Sequence, residues 1–248
     1  MIISLMIGRA GSRGFPGKNT KKILGRRLFE YPLLACKKSG VVDKIFVSTD
    51  CPIIKNVSKK YGATHIIRPK KLANNKALGD HAFEHGYFEI KKMLDIKTKD
   101  IEFIILLFAN APTISSEMIK RGIKTLRKNK KFDSAVSTSV YNMWSPLRAR
   151  KLEKDGSLKP FVPFRIFGNP KKLNCDRDSQ GDVYYADMSI SIVRPKCLEN
   201  LQNGLLPQKW MGKKIAPISS WGGCDVDYEW QLPMVEYWLK KNGIKNLK

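Results

Sequence analysis

The sequence has no long uninterrupted apolar run. A membrane-spanning helix needs roughly 20 consecutive apolar residues, and no segment of the 248-residue chain approaches that length. The first apolar run, "IISLMIG", has no basic leader before it and is followed at once by polar residues. We therefore expect a first strand here rather than a signal peptide.

Cysteine is scarce and shows no pattern. The chain has five cysteines, an odd number, and no two of them have CxxC spacing. Neither a zinc ribbon nor a framework of disulfides is expected from such an arrangement. A reducing, cytoplasmic setting is favoured.

Acidic residues are few in comparison with basic ones. Against 46 lysines and arginines there are 22 aspartates and glutamates, which gives a formal net charge of +24. Such a charge is typical of nucleic-acid-binding proteins, and that alternative stays open. The lysines are, however, spread along the whole chain in short runs, so we expect solvated basic faces that draw in anionic small molecules.

Apolar runs alternate with longer amphipathic segments. The runs predicted as strands are "IISLMIG", "KIFVSTD", "HIIR", "EFIILLFA", "DSAVSTSV", "DVYYADMSISIV" and "KIAPIS". The segments predicted as helices are 26–40, 51–62, 77–94, 116–129 and 227–241. This order predicts an α/β fold with a doubly wound, mostly parallel sheet in one domain, residues 1–248.

In such folds, ligands bind beyond the carboxyl ends of the strands. The segment 9–19, the turn at Asp50 and the turn at 110–112 are all expected at that edge. Residues 141–182 break the alternation and are rich in proline, lysine, arginine and asparagine. A long irregular segment of this kind is usually functional or an interface, so we expect an insertion there.

The first strand is followed by "RAGSRGFPGKN", which contains three glycines and three cations in eleven residues. It matches neither the Walker loop nor the dinucleotide fingerprint, whose glycine spacings differ. Bare glycine amides can still approach a phosphate closely, and Arg9, Arg13 and Lys18 can neutralise its charge. The alternative is an ordinary strand-to-helix turn with exposed cations.

Asp225 and Asp227 are separated by one residue near the last predicted helix. On an extended segment such a pair shares one face and can hold a hard cation such as Mg²⁺. The alternative is a polar loop in which Asp227 caps the last helix.

The loop closely resembles the RxGSKGxPxKN signature of the CMP-sugar synthetases, cytidylyltransferases that activate sialic acids, Kdo and related acidic sugars. Three further segments resemble landmarks of that family in the same order: "VSTD", "RPKKLA" and "DVDYEW". The resemblance implies a nucleotide-diphospho-sugar transferase-like fold and Mg²⁺-dependent transfer of CMP from CTP to an acidic sugar, with release of pyrophosphate. It also implies a homodimer, with 141–182 as the dimerisation and sugar-site segment, and no nucleic-acid or membrane partner.

The resemblance also implies roles for single residues. The residues expected at the nucleotide are Arg9, Gly11, Ser12, Arg13, Lys18, Asn19 and Arg68. Gly79 lies where the match to the family fails, and its backbone could contact the base. Those expected at the sugar are Asn110, Arg177, Tyr184 and Asp187. The matching aspartates, Asp225 and Asp227, would hold Mg²⁺ and, with Lys18 and Arg9, act in catalysis.

The match fails at several positions. Phe108 stands where the family commonly has glutamine, and Asn110 where it has threonine. Asp187 replaces an expected asparagine, and its charge would repel a sugar carboxylate unless Arg177 or a metal intervened. A nucleotidyltransferase of the same fold with another sugar or base therefore remains an alternative.

Overall fold

The structure, a computed structural model, describes residues 1–11, 14–174, 176 and 181–246. The strands are β1 Ile2–Gly8, β2 Lys22–Ile23, β3 Arg26–Arg27, β4 Lys44–Thr49, β5 Ala63–Ile67, β6 Phe103–Phe108, β7 Ser134–Val140, β8 Arg150–Leu152, β9 Leu158–Pro160, β10 Tyr184–Val193 and β11 Ile215–Ser219. The helices are α1 Glu30–Ser39, α2 Pro52–Ser58, α3 Gly79–Leu94, α4 Ser116–Lys128, α5 Lys196–Glu199 and α6 Leu232–Lys241. None of the helices within these described ranges has the length and apolar character needed to cross a bilayer.

A seven-stranded sheet forms the centre of the molecule, in the order β11-β7-β10-β6-β1-β4-β5. Neighbouring strands run parallel except at β10, which is antiparallel to both β6 and β7. β1 lies between β6 and β4 and is parallel to both. The predicted mostly parallel sheet is confirmed.

Helices cover both faces of this sheet, as a doubly wound fold requires. Side chains alternate along a strand, so Ile2 and Met6 of β1 enter one buried cluster and Ile3 and Leu5 enter the other. The first cluster contains apolar side chains of α1, α2, α4 and α6. The second contains those of α3 and α5. Each face of the sheet is therefore buried, which explains why the central strands are apolar throughout.

The first helix begins later than predicted. Arg26 and Arg27 form β3, which pairs with β2, and the helix starts only at Glu30. Leu24 and Gly25 both have positive φ, 49° and 82°, a turn geometry that suits a tight two-residue hairpin. The amphipathic pattern from Arg26 onward concealed this turn.

Two further helix ends have residues that suit a cap. Gly40 is left-handed just after α1, where a glycine carries no Cβ penalty. Ser115 caps α4, since its hydroxyl accepts a hydrogen bond from the amide of Met118.

The segment 141–182 contributes no strand to the central sheet among its described residues. It contains the β8–β9 hairpin and short 3-10 turns. Large apolar side chains on it are exposed to solvent; they are Met143, Trp144, Leu152, Leu158, Phe161 and Ile166.

Candidate active site

A cleft of about 300 Å³ opens at the carboxyl edge of the sheet. Arg9 follows β1, Arg68 follows β5 and Asn110 follows β6. Because these strands are parallel, their ends bring the three side chains to one edge. The cleft is lined by Ile7, Gly8, Arg9, Gly14, Lys18, Asn19, Arg68, Leu72, Ala77, Gly79, Phe108, Asn110 and Asp227.

Internal hydrogen bonds fix the loop that follows β1. Asn19 is buried, and its side-chain amide donates to the carbonyl of Arg9 at 2.9 Å. The amide of Ala10 donates to the Asp50 carboxylate at 2.9 Å. The Arg9 guanidinium donates to the side-chain carbonyl of Asn75, a contact that no spacing in the sequence indicates. Asn19 therefore supports the loop from within as well as lining the cleft.

Two loop residues with a predicted nucleotide role, Ser12 and Arg13, lie outside the described residues. Gly11 is exposed, and no atom lies within 4 Å of the place a Cβ would take. Gly14 has a tighter setting, because its Cβ would lie 3.0 Å from the carbonyl oxygen of Asp227. The close approach at this loop is thus at Gly14, which sequence reasoning did not single out.

Lys18 joins the two ends of the chain. Its ammonium forms an ion pair with the carboxylate of Asp227. The Lys18 side chain is 16% exposed and that of Asp227 is 54% exposed. The predicted cationic loop therefore shares one cleft with Asp227, whereas Asp225, the other predicted carboxylate, is not among the residues that line it.

Arg68 is a buried cation at the cleft wall. It is 8% exposed, and its Nε has no hydrogen-bond partner within the described part of the chain. Burial lowers the pKa of the guanidinium, the Asp50 carboxylate opposes this, and Arg9 lowers the pKa further. A buried donor without a partner is costly, so the position suits an anionic ligand.

Asp225 is partly buried beside Asp227. Burial raises the pKa of the Asp225 carboxyl and the Asp227 charge raises it further, while Lys18 and the Asn110 side chain lower it.

The alternative that Asp227 caps the last helix is wrong, because the residue that precedes α6 is Gln231. The side-chain oxygen of Gln231 accepts hydrogen bonds from the amides of Asp227 and Tyr228 at 2.7 and 2.8 Å.

Asn110 secures the segment between the two aspartates. Its side-chain amide donates to the carbonyl of Val226 at 3.0 Å, and its backbone carbonyl accepts from the amide of Val226 at 2.8 Å. Asn110 was predicted at the sugar. It lines the cleft, and one of its donors is already engaged in holding this segment.

An aromatic cluster forms another wall of the cleft. The Phe108 ring contacts Phe83 at 5.1 Å and Trp210 at 5.7 Å between centroids. A Cβ on Gly79 would lie 3.4 Å from Trp210 and 3.6 Å from Phe108, so the start of α3 packs closely on these rings. No motif in the sequence indicates the contact between Trp210 and Phe108.

Of the residues predicted at the sugar that the structure describes, Asn110 lines the cleft and Tyr184 and Asp187 do not. Tyr184 is 60% exposed at the start of β10 and does not line the cleft. Asp187 is buried and accepts hydrogen bonds from the hydroxyls of Ser137 and Ser139. Arg177 lies outside the described residues.

Comparison with known proteins decides the family. The model of the cytidylyltransferase family matches residues 3–159, which is more than half of the chain. The chain belongs to the cytidylyltransferase family. The resemblance seen in the loop and the later landmarks is thereby confirmed, although Asp225 and Asp227 lie beyond the matched residues.

Individual relatives of this cytidylyltransferase support the same family. The chain is 31% identical over 141 residues to the N-acylneuraminate cytidylyltransferase of Escherichia coli O18:K1:H7, covering 57% of this chain and 32% of that protein. It is 29% identical over 194 residues to the CMP-N,N'-diacetyllegionaminic acid synthase of Legionella pneumophila, covering 75% and 77%. The chain thus spans only about a third of the first relative.

A solved structure shows the same fold. CMP:2-keto-3-deoxy-manno-octonic acid synthetase complexed with CTP matches with a TM-score of 0.65, covering 97% of this chain and 99% of that one, at 14% identity. The likeness confirms the predicted fold class.

Proposed function

We propose that this cytidylyltransferase transfers CMP from CTP to an acidic sugar and releases pyrophosphate. The observation that carries the proposal is the contact between Lys18 and Asp227, which brings the cationic loop against one of the two predicted carboxylates in one cleft. The names of two relatives support the substrate class. One is an N-acylneuraminate cytidylyltransferase and the other is a CMP-N,N'-diacetyllegionaminic acid synthase.

In the proposed reaction, a sugar hydroxyl attacks the α-phosphorus of CTP. A bond forms between that oxygen and phosphorus, the bond to the β-phosphate breaks, and the hydroxyl proton is released. Arg9, Lys18 and Arg68 bind the triphosphate and stabilise the charge that develops on its oxygens. The fixed cleft holds both substrates in reach of each other, which lowers the entropic part of the barrier.

Asp225 and Asp227 fit a divalent cation. Burial and mutual repulsion raise the pKa of Asp225, and a bound cation would relieve both effects. No group of three or more histidine, cysteine, aspartate or glutamate side chains forms a metal site among the described residues. A pair of carboxylates suits Mg²⁺, which binds one or two protein carboxylates and completes its shell with phosphate oxygens and water. When bound, it would neutralise charge on the triphosphate.

A cytidylyltransferase with another sugar, or a related enzyme with another base, is the second candidate. Phe108 favours it, because an apolar ring lines the cleft where the resembling family has a polar amide. A thermal-shift panel of CTP, UTP, GTP and ATP separates the bases, since a ligand that binds only the folded state raises Tm. We expect the largest shift with CTP.

We also propose a homodimer formed through the segment 141–182. The exposed apolar side chains of that segment, Phe161 and Ile166 among them at 64% and 66% exposure, are the support. Light scattering at micromolar concentration should give twice the 28.2 kDa mass of one chain. A single-chain mass would contradict the proposal.

The partners we propose are small anions rather than nucleic acid, since three cations converge on the cleft. Weak retention on a nucleic-acid column at physiological salt is expected, and tight, steeply salt-dependent binding would contradict it.

We propose a cytoplasmic setting, in keeping with the buried free thiols of Cys36, Cys51, Cys197 and Cys224. Cell fractionation tests that location.

The activity is tested by incubating the protein with CTP, Mg²⁺ and a panel of acidic sugars and measuring pyrophosphate. Asp225→Asn should abolish turnover without unfolding the protein. Asp95→Asn is the matched control, because Asp95 is exposed at the end of α3. A folded sample that neither binds CTP nor releases pyrophosphate with any sugar would refute the proposal.

A further inference from the structure

Asp187 is buried against the segment that leads to Asp225 and Asp227. It is 6% exposed. Its Oδ2 accepts a hydrogen bond from the Ser139 hydroxyl at 2.7 Å, and its Oδ1 accepts from the Ser137 hydroxyl and from the amide of Ser189. Both oxygens are therefore engaged inside the protein, where the resemblance implied a contact with the sugar.

Ser139 connects this carboxylate to Gly223. The Gly223 amide donates to the Ser139 hydroxyl at 3.1 Å, and its carbonyl accepts from the Tyr141 hydroxyl at 3.0 Å. A Cβ on Gly223 would lie only 2.2 Å from Oδ2 of Asp187. Gly223 is thus held at both its amide and its carbonyl and lies directly against Asp187.

The next residue toward the cleft is fixed as well. The Cys224 amide donates to the Thr113 hydroxyl at 2.9 Å, and the Cys224 carbonyl accepts from that hydroxyl at 3.1 Å. Gly223 and Cys224, the two residues that precede Asp225, are therefore both held by hydrogen bonds. We infer that Asp187 is a positioning residue that orients the Asp225 carboxylate through Ser139 and Gly223, and that it contacts neither nucleotide nor sugar. Its effect on turnover rests on the proposed function.

Both carboxylate oxygens of Asp187 accept hydrogen bonds from serine hydroxyls. Ser139 donates to one of these oxygens and keeps a lone pair for the Gly223 amide. An asparagine presents one oxygen and one amide nitrogen. With asparagine at 187, one of the two serine hydroxyls would lose its acceptor, and the anchor of Gly223 would weaken.

The test compares Asp187→Asn and Ser139→Ala with the wild type. The control is Thr138→Val, since the buried Thr138 hydroxyl on the same strand has no partner within the described ranges. Hydrogen–deuterium exchange of residues 220–228, measured without metal or nucleotide, should quicken roughly 2- to 10-fold in the first two variants, as expected for loss of one hydrogen bond. The control should match the wild type.

Steady-state kinetics supply the second readout. We expect the Mg²⁺ concentration for half-maximal rate to rise about 2- to 10-fold, in line with loss of one hydrogen bond behind Asp225, and kcat to fall. The KM for the sugar should stay unchanged. Should Asp187→Asn fail to fold, Ser139→Ala carries the same test.

Two results would overturn the inference: unchanged exchange of 220–228, or a raised sugar KM with an unaltered Mg²⁺ requirement, which would make Asp187 a sugar ligand. Absence of pyrophosphate release by the wild type would instead contradict the proposed function. The exchange measurement would still decide whether Asp187 anchors the segment.

Discussion

Lys18 and Asp227 are 209 positions apart in the sequence and form an ion pair in the fold. The Lys18 side chain is largely shielded from water, so its charge is screened less than that of an exposed lysine. The pair also holds the ammonium at the cleft before any substrate arrives. A charged group that is already in position contributes more to catalysis than one that must reorient during the reaction.

Replacing Lys18 with methionine should therefore reduce turnover strongly. We expect kcat/KM for CTP to fall by at least about 100-fold, in line with loss of one preorganised donor. The measurement is pyrophosphate release at varied CTP concentration. Lys22→Met is the matched control, since Lys22 is exposed on β2, and an equal loss in the control would remove the role assigned to Lys18.

Arg68→Met should weaken CTP binding without lowering the thermal stability of the protein. The variant removes a buried cation whose Nε lacks a partner in the described part of the chain, so Tm should stay the same or rise. Affinity for CTP should fall, because the guanidinium is the buried cation at the cleft wall. Calorimetric titration with CTP and a thermal melt test both statements, and an unchanged CTP affinity would argue against an anion at Arg68.

Gly8→Ala should destabilise the fold at the end of β1. The added Cβ would lie 2.6 Å from Cβ of Ala109, and neither atom can rotate away. Overpacking of this kind costs about 1–3 kcal/mol, measurable by urea unfolding. Gly11→Ala serves as the control, because its Cβ would meet no atom within 4 Å, and equal stability of the two variants would contradict the packing argument.

Asp133 should make stability depend on pH in the acid range. Burial alone would raise the pKa of its carboxyl, but the Lys196 ammonium and the amides of Lys214 and Lys213 outweigh burial and hold the pKa below its usual value. A lowered folded pKa means that the stabilisation is present above the unfolded value, about 3.9, and is lost as pH falls through the folded pKa.

Asp133→Asn should accordingly cost roughly 1–3 kcal/mol at neutral pH and progressively less below about pH 4. Urea unfolding of both proteins from pH 7 downward measures the difference. A difference that is independent of pH would show that the charge of Asp133 is not responsible.

The sequence was sufficient for features that depend on local pattern. The buried runs of β1, β4 and β6 were predicted correctly, because the apolar pattern of a buried strand is set by near neighbours. The Leu24–Gly25 hairpin was missed, since "RRLFEYPLL" reads as continuously amphipathic.

Site residues could be predicted from the sequence only where they belong to a recognisable motif. Lys18 and Asp227 were each indicated by their motifs, and their meeting followed once the fold was right. The setting of Asp187 was not predictable, because its serine partners lie on β7 some fifty positions away and no spacing rule joins them. Trp210 was missed for the same reason, since its contact with Phe108 depends on how a distant loop folds back.

The separation of Lys18 from Asp227 has a consequence during translation. At about 5–20 residues per second, a ribosome adds the intervening 209 residues in roughly 10 to 40 seconds. Throughout that interval a nascent chain exposes its cationic loop without the acidic partner that completes it. A product that ended before residue 225 would keep the cationic loop and lack both carboxylates, so the ion pair with Lys18 could not form.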